Sequence, residues 1–127
     1  MMKKTIVPVV LAGFWITLSE FVRNEFLLKK VWSNHFASLG LTFETLPVNG
    51  VLWMVWSFCL AFFLFRLLRY AAFKEAVALT WLVAFVMMWI TIYNLQVLPL
   101  TLLAAAVPLS VVEVAVAGFV IRAFRRS

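Results

Sequence analysis

The chain has few of the residues from which soluble catalytic and metal-binding sites are built. It contains no aspartate, one cysteine (Cys59) and one histidine (His35) among 127 residues. A single cysteine excludes an intrachain disulfide, a CxxC pair and a cysteine-based zinc cluster, and a single histidine excludes a histidine-rich metal site within one chain. Glycine-rich phosphate loops and HExxH, EF-hand and GxSxG patterns are also absent from the sequence. We therefore predict no metal and no cofactor, and the catalytic residues of any enzyme function stay unknown.

Charged residues are also scarce. They make up 13% of the chain, whereas hydrophobic residues make up 66%, and the mean hydropathy is +1.08. A soluble domain carries about 25% charged and roughly 45–50% apolar residues. A chain this small leaves much of its surface exposed, so the apolar excess cannot be hidden in its own core. The composition predicts an integral membrane protein.

Four apolar runs are long enough to cross a bilayer, which takes about 20 helical residues. The predicted spans are residues 5–24, 51–70, 76–93 and 100–121. Lys3 and Lys4 before an apolar run are also typical of a signal peptide, but the length of the run and the lack of a clear cleavage site favour a retained span. Residues 26–39 alternate aromatic and leucine side chains with lysines, which is typical of a helix lying in the membrane interface.

The predicted fold is therefore an all-α membrane protein with one domain over residues 1–127. We expect a four-transmembrane-helix bundle with a short amphipathic interfacial helix between helices 1 and 2.

The net charge of +6 comes from basic residues that flank the apolar runs. This position predicts topology anchors in the headgroup region and no nucleic-acid partner. With the N-terminus inside, eight basic residues lie on the cytoplasmic side and three on the outer side, which are Arg23, Lys29 and Lys30. The lysine and arginine bias therefore predicts a bacterial inner (plasma) membrane protein with both termini in the cytoplasm.

Polar residues near the outer ends of the spans form the first candidate site. Glu20 and Asn24 share one face of the first helix, and Arg23 lies within reach of Glu20 at i+3. Three interpretations stay open: a solvated end of the first helix, an outward-facing polar pocket, and assembly contacts. The residues expected around the pocket are Glu20, Arg23, Asn24, His35, Trp53, Trp56, Tyr93 and Asn94.

Glu113 is the second candidate, because an ionisable residue deep in a span is costly and is often functional. It shares a face of mostly small residues with Ser110, and such a face permits close helix packing. Depth along the spans predicts that Arg66 pairs with Glu113 and that Thr80 lies nearby. The open interpretations are a buried polar contact that fixes helix packing, a proton or cation relay, and a lipid-headgroup site.

Three functions follow from these residues. The first is a structural or accessory bundle that binds a lipid or a membrane protein partner, with a homodimer as one form. The second is a small proton- or cation-coupled transporter or channel that uses Glu113 or Glu20. The third is a membrane-embedded enzyme that acts on a lipid or isoprenoid at the outer face. The sequence does not choose between an enzyme and a non-enzyme.

Overall fold

The computed structural model describes residues 2–43 and 46–125, and the regular structure within these ranges is entirely helical. Five helices follow one another. Helix α1 is an α-helix over Met2–Phe21 that continues as a π-helical turn, Val22–Leu27. Helices α2 and α3 are Lys29–Ser38 and Pro47–Leu67. Helix α4 consists of an α-helix Phe73–Trp81, a π-helical turn Leu82–Val86 and an α-helix Met87–Asn94, and α5 consists of a 3₁₀ turn Leu100–Leu102 and an α-helix Leu103–Arg125.

Four of these helices, α1, α3, α4 and α5, are long and apolar enough to cross a membrane. The expectation of four such helices in an all-helical chain is therefore confirmed. Helix α3 begins at Pro47, four residues before the start expected from hydropathy. Proline suits the first helical position because its missing N–H would have no partner there. The Asn49 side chain supports the same start by accepting the backbone N–H of Leu46 at 3.1 Å.

The long helices form an up-and-down bundle in which each packs beside its neighbours in the chain and α1 closes the bundle against α5. Glycine allows close approach at two points. Gly13 of α1 lies against the ring of Phe58 in α3, and Gly118 of α5 lies against Phe73 in α4. The terminal end of the bundle has the start of α1, the end of α5 and the α3–α4 turn, and the α2 end has α2 and the α4–α5 turn.

Helix α2 is amphipathic, with Trp32 and Phe36 half-buried and Lys29 and Lys30 exposed. The Trp32 ring stacks on Phe43 with 5.7 Å between centroids and 4° between planes. The aromatic contacts attach α2 to the chain that leads into α3. Its location in a membrane interface stays a prediction.

Candidate functional site: a buried ion cluster between α1 and α5

Glu20, Arg23 and Glu113 form a buried ion cluster. Arg23 Nη2 lies 2.6 Å from Glu20 Oε1, and Arg23 Nη1 lies 3.3 Å from Glu113 Oε1. The exposed fractions are 3% for Glu20, 5% for Arg23 and 0% for Glu113. One guanidinium thus bridges two carboxyl groups, a task for which its planar set of five N–H donors is well suited. The cluster joins the first and last helices of the chain.

The direction of the side chains explains how residues at different heights meet. The indole Nε1 of Trp15 donates to the backbone carbonyl oxygen of Glu113 at 2.9 Å, so Trp15 marks the height of Glu113 on α1. Arg23 lies eight residues further along, about 12 Å at ~1.5 Å per residue. Every Cα–Cβ bond in a helix tilts toward the helix N-terminus. Because α1 and α5 are antiparallel, Arg23 leans toward Glu113 and Glu113 leans toward Arg23.

Two π-helical turns meet at the cluster. Arg23 belongs to the turn Val22–Leu27, in which the N–H of Leu28 donates to the carbonyl oxygen of Arg23, five residues back, at 2.8 Å. Phe85 belongs to the turn Leu82–Val86 of α4, and its ring centroid lies 5.2 Å from the Arg23 guanidinium carbon. Single π turns inside α-helices are rare and occur frequently at functional sites. One turn thus supplies the buried cation, and the other supplies the aromatic ring that contacts it.

A chain of hydrogen bonds extends from the cluster toward the α2 end. The Asn24 side-chain amide donates to Glu20 Oε2 at 3.0 Å and to the Glu20 backbone oxygen at 3.1 Å. The Trp32 indole N–H then donates to Asn24 Oδ1 at 3.1 Å. Asn24 and Trp32 are half-buried. The chain therefore connects the fully buried Glu113 to the short helix α2.

Polar groups are absent from the other half of the described core. The buried polar and charged residues between positions 2–43 and 46–125 are Glu20, Arg23, Ser57, Thr80, Ser110 and Glu113. Each lies at about the height of Glu113 or nearer the α2 end. Toward the terminal end, the described side chains that fill the bundle are apolar, including Ala12, Leu64, Phe65, Ala76, Ala117 and Ile121. The hydrogen-bond chain is thus continuous toward one end of the bundle only.

One oxygen of the cluster has no partner. Glu113 Oε2 is buried without a hydrogen bond, and so is Thr80 Oγ1 on α4. Thr80 lies at about the height of Glu113, because Val77 touches Gly118 and the Trp81 indole donates to Ser110 Oγ at 2.9 Å. A buried polar atom without a partner costs about 1–3 kcal/mol. At the height of Glu113, two buried side-chain oxygens therefore have no hydrogen-bond partner among the described residues.

The expected contact between Arg66 and Glu113 is not formed. Arg66 is exposed, and the cation beside Glu113 is Arg23. The reason is the order of the helices around the bundle, since α5 packs mainly on α1 and α4 while α3 lies diagonally across. Ser110 is buried as expected, but it donates to the Val107 carbonyl oxygen at 3.0 Å and does not join the ion cluster.

The residues expected around an outer pocket fall into separate groups. Glu20, Arg23 and Asn24 are turned into the bundle, which contradicts the interpretation that they are a solvated helix end. His35, Tyr93 and Asn94 instead line a different cavity of about 760 Å³ at the α2 end, together with the α4–α5 turn. The third group is the aromatic pair Trp53 and Trp56, whose ring centroids are 5.4 Å apart.

Trp15, Trp32 and Phe85 are the site residues that sequence reasoning missed. Trp15 stands five residues before Glu20 and Trp32 eight after Asn24, and spacing of this kind carries no signal for a contact across helices. Phe85 contacts Arg23 within a stretch of ordinary apolar sequence. A signal was available for Arg23 itself, since the i,i+3 ion pair with Glu20 was expected and is confirmed.

Among residues 2–43 and 46–125, no group of three or more His, Cys, Asp or Glu side chains is arranged to hold a metal ion. Comparison of the chain with protein family models, with curated proteins and with solved structures finds no match.

Proposed function

We propose that the protein is an integral membrane bundle of structural or accessory type that binds a lipid or a membrane protein partner. Four helices with the length and apolarity of membrane spans support this. The four carry many large apolar side chains on their outer surfaces, such as Phe14 at 58%, Leu52 at 61% and Ile90 at 64% exposure. Hydrocarbon is a suitable environment for such surfaces.

The observation that carries an accessory function over transport is the one-sided polar chain. A path for protons or cations needs polar groups or water between both sides of the membrane. The bonds from Glu113 through Glu20 and Asn24 lead to the α2 end, while the described core toward the terminal end is apolar. Buried polar contacts of this kind hold membrane helices together and fix which helices pack. In this function the cluster holds α1 against α5.

The distribution of basic residues supports an inner-membrane orientation with both termini in the cytoplasm. Arg23 is taken up by the ion cluster, so the exposed basic residues of the α2 end are Lys29 and Lys30. The described basic residues of the terminal end are Lys3, Lys4, Arg66, Arg69, Lys74, Arg122 and Arg125. Short loops with the excess of Lys and Arg stay in the cytoplasm.

A second candidate, proton exchange at Glu113, is favoured by one observation. The cluster has two carboxyl groups and one guanidinium, so it is electrically neutral only when one carboxyl group carries a proton. Glu113 Oε2 has no hydrogen-bond partner and could carry that proton. The groups that face it are Glu20 and Arg23 on α1. This candidate makes the bundle a proton-coupled protein that opens to the α2 end.

The enzyme function receives less support. It requires Glu20, Arg23 and Asn24 to act together with His35 on a substrate at the outer face. The first three are bonded within the cluster, whereas His35 lines the separate cavity beside Asn94.

A measurement of proton flux distinguishes the accessory function from proton exchange at Glu113. The purified chain is reconstituted into liposomes with a trapped pH-sensitive dye, and flux is driven by a potassium gradient with valinomycin. An accessory bundle gives the same flux as protein-free liposomes. Flux above that background in the wild type, lost in Glu113→Gln and in Glu20→Gln but kept in Glu75→Gln, would establish transport. Glu75 is an exposed control outside the cluster.

Orientation is tested by labelling with a membrane-impermeant maleimide in a Cys59→Ser background. A cysteine at Asn34, which is exposed on α2, should react from outside intact spheroplasts. A cysteine at Lys4, which is exposed at the terminal end, should react only after lysis. Reaction of the Lys4 position from outside would contradict the proposed topology.

A further inference from the structure

Helices α3 and α4 separate above their connecting turn and leave a groove between them. The groove has a volume of about 600 Å³. On the α3 side it is lined by Trp56, Cys59 and Phe63, and on the α4 side by Val83, Met87 and Ile92. Toward the terminal end α3 packs against the Phe73–Trp81 segment of α4, and a short turn joins the two helices. The groove is open to the outer surface of the bundle.

The lining of the groove is suited to hydrocarbon. Its one side-chain hydroxyl, that of Thr91, donates to the Met87 carbonyl oxygen at 2.9 Å, and the rest of the lining is aliphatic, aromatic or sulfur-containing. Methionine side chains adapt their shape to irregular apolar partners. Met87 is 54% exposed beside this groove. An acyl chain would cover this apolar surface.

Positively charged side chains lie toward the terminal end of α3 and α4, beyond the groove. Arg66 lies three residues beyond Phe63, on nearly the same face of α3. It is exposed, and within the described residues its side chain makes no hydrogen bond or ion pair. Arg69 and Lys74 lie in and just beyond the α3–α4 turn and are exposed too, with Glu75 as the one acidic residue of that turn region. The terminal ends of α3 and α4 therefore carry three exposed cations, and the Arg125 guanidinium lies beside them, bonded to the Phe65 and Leu68 carbonyl oxygens.

The distance along α3 from Trp56 to Arg66 matches the thickness of the hydrocarbon in one leaflet of a bilayer. Trp56 and Arg66 are ten residues apart, which is about 15 Å at ~1.5 Å per residue. The hydrocarbon core of a bilayer is about 30 Å thick. A lipid with its headgroup at Arg66 could therefore lay one acyl chain along the groove as far as Trp56, near the middle of the bilayer.

We propose that the α3–α4 groove binds an anionic phospholipid, with an acyl chain along the groove and the headgroup at Arg66, Arg69 and Lys74. The inference rests on the proposed membrane insertion and names the lipid class for the accessory function. An anionic headgroup is favoured over a zwitterionic one, since each nearby Lys or Arg contributes about fivefold to binding of an anionic surface.

The test is native mass spectrometry of the full chain. The protein in detergent is mixed with equal amounts of a phosphatidylglycerol and a phosphatidylcholine that have identical acyl chains, and it is then released from the detergent in the spectrometer. The wild type should retain phosphatidylglycerol about 125-fold more than phosphatidylcholine, the product of three fivefold effects. Arg66→Gln/Arg69→Gln should reduce that preference by about 25-fold, the product of two fivefold effects. Lys3→Gln/Lys4→Gln removes two exposed cations from the same end and should leave the preference unchanged.

A second variant tests the groove itself. Cys59→Trp fills the groove from an exposed position and should reduce retention of both lipids. Val112→Trp adds the same bulk at an exposed position of α5 outside the groove and should not. Equal retention of the two lipids by the wild type overturns the proposal, and so does equal loss of preference in the Arg66/Arg69 and Lys3/Lys4 variants.

Two further outcomes are informative. Oxidation of the wild type to a Cys59-linked dimer that retains no lipid would assign the groove to a second copy and overturn the proposal. Failure of the proposed function is read separately, from resistance of the chain to carbonate extraction of membranes. A chain that is extracted by carbonate contradicts membrane insertion. A chain that resists extraction but shows no lipid preference contradicts the lipid site alone.

Discussion

Arg23 and Glu113 are 90 positions apart in the chain, and their side chains meet at 3.3 Å inside the bundle. Arg23 also holds Glu20 and lies over the ring of Phe85, so its guanidinium contacts residues of three helices. Removing the solvation of several charges costs several kcal/mol per ion, which the pairing must offset. The stability of the bundle should therefore depend on Arg23 more than on either glutamate.

We expect Arg23→Met to destabilise the folded bundle by about 3–5 kcal/mol, because two buried carboxyl groups lose their shared cation. The measurement is unfolding in mixed detergent micelles followed by circular dichroism. The matched control is Glu20→Gln/Arg23→Met/Glu113→Gln, which removes all three charges together. This triple variant should recover most of the loss, and a triple variant as unstable as Arg23→Met would show that charge pairing is not the cause.

Trp15→Phe should cost about 1 kcal/mol, the typical net contribution of one hydrogen bond. The change removes the N–H that donates to the Glu113 carbonyl oxygen and keeps most of the aromatic surface. Trp53→Phe serves as the control, because Trp53 is 42% exposed and its indole ring contacts the ring of Trp56. Equal unfolding midpoints for the two variants would argue that the Trp15 bond contributes nothing to stability.

Gly13→Ala should destabilise the contact between α1 and α3. A Cβ at this position would lie 2.5–2.9 Å from three atoms of the Phe58 ring, including the ring carbon nearest the backbone. Overpacking of this kind costs about 1–3 kcal/mol. Gly50→Ala has no atom within 4 Å and lies inside α3, so it should be neutral or stabilise by up to about 1 kcal/mol. The comparison uses thermal unfolding in one detergent, and a Gly13 variant as stable as the Gly50 variant would contradict the packing described.

Trp32→Phe should loosen α2 from the rest of the bundle. The substitution removes the donor to Asn24 Oδ1, while a phenyl ring can still stack on Phe43. A loss of about 0.5–1.5 kcal/mol in the free energy that attaches α2 to the bundle raises the hydrogen-exchange rate of the α2 amides by up to about tenfold. Phe36→Leu is the control, since Phe36 touches the same aromatic group without bonding to Asn24. Exchange of the α3 amides should not change in either variant.

The sequence predicts the local part of this structure well. Long apolar runs predict the four long helices, and the i,i+3 spacing of Glu20 and Arg23 predicts their ion pair. Both features depend on neighbouring residues, so hydropathy and helical periodicity are sufficient to find them.

The partner of Glu113 depends on features that periodicity does not contain. Estimates of depth make Arg66 the nearest cation, but they assume a side chain level with its own Cα and say nothing about which helices are adjacent. In the structure α1 is beside α5, and the Arg23 and Glu113 side chains lean toward each other across a height difference of about two helical turns. The π turn that holds Arg23 also has no clear signature in its sequence, VRNEFL.

The position of the ion cluster on the first and last helices has a consequence for biosynthesis. Glu20 and Arg23 leave the ribosome first, and Glu113 is made 90 residues after Arg23. During the synthesis of α3 and α4, Arg23 therefore has only Glu20 as an acidic partner in the cluster, and the contact between α1 and α5 forms after translation of α5. A chain truncated before α5 should consequently remain an incomplete bundle that aggregates or is degraded, even though three of its four long helices are intact.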